Sequence, residues 1–74
     1  MDKEQATELY DALRNAALQM EVAFAGLVER VGEESDETKL RAEPDLRVIA
    51  EASSAAMQKL ARAQSLIVRA VLSR

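Results

Sequence analysis

The chain has 74 residues and a mass of 8.1 kDa; 49% of it is hydrophobic, 31% is charged, the net charge is −3, and it contains no His, Cys or Trp. Without His and Cys there is no Ser-His-Asp or Cys-His nucleophile system, no imidazole or thiolate zinc ligand, no disulfide framework and no histidine pH switch. A length this small predicts one domain, residues 1–74, whose core needs a partner's help to become stable.

The chain opens on Met1-Asp2-Lys3-Glu4-Gln5 with no apolar stretch behind it, which predicts no secretory leader and a cytoplasmic setting. Apolar runs such as Leu66-Ile67-Val68 fall far short of the roughly 20 residues that cross a bilayer, so no membrane partner is expected. A first helix is predicted over about 3–31. Asp2 is its N-cap with Gln5 three residues on, Gly32 stands where a left-handed C-cap belongs, and Gly26 is the interior weak point that would let a neighbouring backbone approach closely.

Residues 32–43 follow, polar and acidic at their start, and read as a solvated connector with at most one helical turn over 38–42. Pro44 suits the first turn of a helix and discourages helix at Glu43, so the second helix is predicted over about 44–72 and the chain folds back. No segment alternates apolar and polar residues with period 2, which argues against a sheet.

Helical periodicity carries most of the information. In the first arm Ala6, Leu9, Leu13, Ala16, Met20, Ala23 and Leu27 recur at spacings of 3 and 4, flanked by Tyr10, Ala17, Phe24, Val28 and Val31. In the second, Leu46, Ile49, Ser53, Ala56, Leu60, Ala63, Ile67 and Ala70 do the same, flanked by Ala50, Met57 and Val71. A mean spacing near 3.5 is the seam of left-handed helix packing, which gives an all-α, antiparallel two-helix hairpin.

A hairpin leaves apolar residues over. Leu18, Val22, Val48, Ala55, Leu66 and Val68 lie outside the predicted seam, and ordering a chain this size costs on the order of 100 kcal/mol, against which one stripe per helix is little. Pairing two hairpins into a four-helix bundle resolves both problems, so a homodimer is expected with these six residues at the interface with its own copy or with another protein. In outline this resembles the small dimeric helical hairpins, such as the plasmid RNA-binding protein Rop, by architecture and not by any motif, so no function carries over.

Charge is uneven along the chain: residues 1–45 hold 12 acids and 5 bases, and residues 46–74 hold 5 bases and 1 acid. The arms should attract each other, with Asp11–Arg14 and Arg47–Glu51 as weak pairs along the helices. A basic strip of Arg47, Arg62 and Arg69, with Lys59 beside it and Arg74 at the end, offers phosphate contacts. The overall acidity and the scarcity of aromatics argue against nucleic acid as a partner.

The acidic connector lacks the alternation and central glycine of a calcium loop, and no Glu-x-x-His pair exists for a di-metal bundle, so no metal and no cofactor is expected. The expectation is a non-enzymatic interaction or regulatory module. The alternatives are an obligate subunit or chaperone completed by a different chain, and a nucleic-acid-binding regulator using the second-helix arginines.

Overall fold

The computed structural model describes residues 1–72 and contains two long helices, α1 (Lys3–Gly32) and α2 (Asp36–Ile67), with a π-helical turn over Val68–Leu72. Arg74, predicted to end the basic strip, lies outside the described residues. There is no strand among the described residues, and the two helices fold back on one another as a hairpin.

Helix α1 begins as its first residues dictate. The Asp2 carboxylate accepts the Gln5 backbone N–H at 2.8 Å, while the Gln5 side-chain oxygen accepts the Asp2 N–H at 3.0 Å, so two of the N–H groups a helix start leaves open are satisfied reciprocally. Its end differs from expectation. Gly32 is not left-handed; the helix closes by short-range bonds from Glu33 N–H to the Arg30 carbonyl (3.2 Å) and from Glu34 N–H to that of Val31 (3.0 Å). With only three residues before the next helix, the tightened last turn takes the place of a glycine cap.

The predicted connector 32–43 is the largest correction. Only residues 33–35 separate the helices, and Pro44 lies well inside α2, not at its start. Ser35 is the true N-cap: its Oγ accepts the Thr38 N–H at 3.3 Å and shares a hydrogen bond with the Thr38 hydroxyl at 2.9 Å. Asp36 and Glu37 in the first turn complement the positive end of the helix. Pro44 stands on the exposed side of α2, as does Leu40, whose carbonyl loses its N–H donor, so the break in the ladder falls away from the seam.

The seam is rotated slightly from the predicted one. The covered positions are Ala6, Tyr10, Leu13, Ala17, Met20, Phe24, Leu27 and Val31 on α1, and Leu46, Ala50, Ser53, Met57, Leu60, Gln64 and Ile67 on α2, each in unbroken alternation of 4 and 3. Tyr10, Phe24 and Met57 thus enter the seam, while Leu9, Ala23 and Ile49 move to its exposed edge and Ala16, Ala56 and Ala63 stay half-covered. Tyr10, Phe24 and Met57 take inner positions in place of Leu9, Ala23 and Ala56, which fits burial energy scaling with apolar area, and because the phase is common to the whole helix Ala50 turns inward and Ile49 outward with them. Register is pinned by the Gln64 side-chain amide, which donates to the Tyr10 carbonyl at 3.3 Å across the hairpin. The same register sets Met20 near Ser53 and Phe24 near Ile49, which share one groove.

Candidate interaction surface

The hairpin has almost no interior. Among the described residues only Ala6 and Ile67, near its open end, are buried, and no large side chain is fully enclosed. The molecule measures 55 × 16 × 13 Å with a radius of gyration of 16.8 Å, against about 11 Å for a compact domain of this length. Its accessible surface is 5850 Å², where a folded monomer of 8.1 kDa has about 4,500 Å². The difference, about 1,350 Å² per chain, is the dominant feature of the molecule.

Helix geometry divides this surface. On either side of the seam each arm contributes one flanking row, and in an antiparallel pair like rows lie side by side. One flank carries Leu9, Ala16, Ala23 and Arg30 from α1 with Ala42, Ile49, Ala56 and Ala63 from α2. The other carries Thr7, Arg14, Glu21 and Val28 with Leu40, Arg47, Ser54 and Ala61. The first, the alanine flank, has one charged residue in eight; the second, the charged flank, has three and two hydroxyls. A groove of about 280 Å³ lined by Met20, Ala23, Phe24, Leu27, Ile49 and Ser53 opens on the alanine flank. A larger one of about 560 Å³, lined by Tyr10, Ala61, Gln64, Ser65, Val68 and Arg69, opens on the charged side and has a polar rim.

No known family model, curated protein or solved structure matches the chain. The surface must therefore be read from its own residues.

All six residues expected at an interface are exposed, Val22 at 71% and Val48 at 65%, but the fold does not bring them together. Val22 points directly away from the seam on α1, and Val48 and Ala55 do so on α2, so they occupy opposite edges of the hairpin. Leu18 is one step from Val22, with which it shares a shallow patch that also takes in Gln19 and Ala23. Leu66 leans toward the alanine flank, and Val68, in the π-helical turn, borders the polar groove.

The basic residues are similarly dispersed. Arg47, Lys59, Arg62 and Arg69 are all exposed, with Arg62 on the outer edge of α2 and Lys59 and Arg47 to either side of it. Arg47 reaches back to Glu43 at 3.2 Å instead of forward to Glu51, and Arg41 reaches back to Glu37 at 2.7 Å. Acid four residues before base is the favourable order along a helix, and both pairs run within α2 instead of joining the arms. Among the described residues no group of three or more Asp or Glu side chains converges on a metal site, and no helix is long and apolar enough to cross a membrane.

Sequence periodicity missed two residues that matter. Gln64, a seam member carrying the cross-arm hydrogen bond, was hidden by the neighbouring Ala63, which fits an apolar stripe better. Ile49 was assigned to the seam but is 41% exposed on the alanine flank.

Proposed function

We propose that this chain is a small non-enzymatic interaction module that acts as a homodimer, two hairpins joined as a four-helix bundle whose outer surface meets another protein. The observation that carries this reading is the surface excess. Two copies together would remove about 2,700 Å² by reaching the compactness of ordinary folded chains, a value within the range of permanent homodimer interfaces. The exposed apolar edges at Leu18 and Val22 then remain for a protein partner.

Light scattering on the purified chain tests the reading. A stable species of about 16 kDa, twice the chain mass, with high helicity supports it. A helical species of single-chain mass at high concentration overturns it. A chain that is unfolded or aggregated alone and becomes helical only with a different protein would instead mark it as one subunit of a mixed assembly.

A further inference from the structure

We infer that the two copies meet through the alanine flank, with Leu9, Ala16, Ala23, Ile49 and Ala56 at the contact, and that the edges carrying Val22 and Val48 stay outside. This rests on the homodimer reading above and names its surface.

The argument begins with what each face would lose on being covered. The charged flank would bury Arg14, Glu21 and Arg47, and removing such groups from water is costly unless they are paired with good geometry. On the alanine flank the only charged residue is Arg30, near the turn, where its long side chain can reach solvent while its stem stays in contact. The outer edges are worse candidates, because Val22 is followed in its row by Glu29 and preceded by Glu8 and Asn15, while Val48 and Ala55 share theirs with Arg41 and Arg62.

Shape agrees with charge. Leu9 and Ile49 are each 41% exposed, so a large part of each side chain is still in water, and the groove beside Ile49 exposes parts of Phe24, Leu27 and Met20. Between them Ala16, Ala23 and Ala56 keep the surface low, which lets helix axes approach to the short end of the usual range, about 8 Å. The flank thus offers both a ridge at Leu9 and Ile49 and a groove beside Ile49, the two features that a pairing of like surfaces about a two-fold axis needs. Gly26, just outside this flank, has open space where a side chain would stand.

The absence of cysteine makes a clean test available. Single-cysteine variants Ala23→Cys, on the alanine flank, and Ala55→Cys, on the outer edge, are both at positions exposed in the lone hairpin. Labelling by a maleimide, at a concentration where light scattering shows a dimer, is expected to be at least about tenfold slower at position 23 than at 55, and the two rates should converge on dilution to the monomer. Loss of pairing by Ala23→Cys alone, with helicity retained, would implicate the same face. A dimer in which both thiols react at one rate, or in which position 55 is the protected one, overturns the assignment and leaves the bundle standing. A parent chain that is a folded monomer throughout overturns both, and the light scattering tells the two failures apart.

Discussion

The two flanks of the hairpin seam are built on the same helices, at the same register and with the same length, yet one is nearly all alanine, leucine and isoleucine and the other is interrupted by Arg14, Glu21, Arg47 and Ser54. Had the chain been selected only to close a hairpin, both flanks would need charge to remain soluble. Their difference teaches that a long two-helix hairpin distributes apolar residues for two purposes: a narrow seam that fixes the fold, and one widened side that has no partner within the chain. A stripe limited to two positions in seven suffices for pairing two helices, while a third apolar position is the mark of a helix in a larger bundle.

The sharpest way to break the contrast is to give the alanine flank the charge of its opposite. Ile49→Glu is expected to dissociate the dimer, raising its dissociation constant by at least about 100-fold, because a carboxylate placed in a dry contact costs several kcal/mol. Sedimentation across a concentration series checks it. An Ile49→Glu chain as firmly dimeric as the parent would show that the widened side is solvated.

Next in size comes damage to the seam that both flanks share. Leu60→Ala, at a half-covered position about three-quarters of the way along α2, should destabilise the chain by about 2–3 kcal/mol, toward the low end of large-to-small changes because the site is not fully enclosed. Urea unfolding followed by circular dichroism measures this. In contrast to Ile49→Glu, the loss should be accompanied by no preferential loss of pairing at low denaturant.

How much of this was legible in the sequence depended on whether a signal was local or shared. The helix start at Asp2 is readable because its partner Gln5 is three residues away, and the two-arm hairpin is readable because the 3–4 spacing persists for about six turns or more in each arm. The seam's phase is not, since Leu9 and Tyr10, or Ala23 and Phe24, satisfy the same periodicity, and only cross-arm packing chooses between neighbours. The extent of α2 is not legible from Pro44, which suits a helix start as well as it fits this interior, exposed position, while Ser35, followed by Asp36 and Glu37, is the stronger start signal. Six interface residues were recognised as surplus, but their separation onto opposite edges depends on the observed seam. Pro44→Ala tests the corrected helix: restoring a backbone donor inside α2 should stabilise the chain by about 2 kcal/mol, the intrinsic penalty of an interior proline less what its stiffness takes from the unfolded state. A loss of thermal stability would return Pro44 to a helix start.

Gly26 sharpens the contrast from the apolar side. It sits within α1, has no neighbour where a methyl group would stand, and has no positive φ, so Gly26→Ala should raise stability by about 1 kcal/mol through helix propensity alone. If the partner hairpin rests close against this position, the gain measured on the dimer should fall below the gain measured on a monomeric Ile49→Glu background. The difference between the two melts reports how near the second copy comes.

The smallest effect belongs to the charged flank. Glu21 is exposed beside the seam, so replacing it by alanine should change stability by less than about 0.5 kcal/mol and leave the association state as it was. The substitution makes the charged flank locally resemble the other one, and that is its use: if apolar character alone drove pairing, Glu21→Ala would tighten the dimer or promote larger species. Arg14 and Arg47 still stand on that flank and still require water, so the expected outcome is a dimer of unchanged mass in light scattering. Growth beyond two chains on loss of this one carboxylate would mean that the charged flank is held apart by repulsion and not by the solvation of its remaining cations.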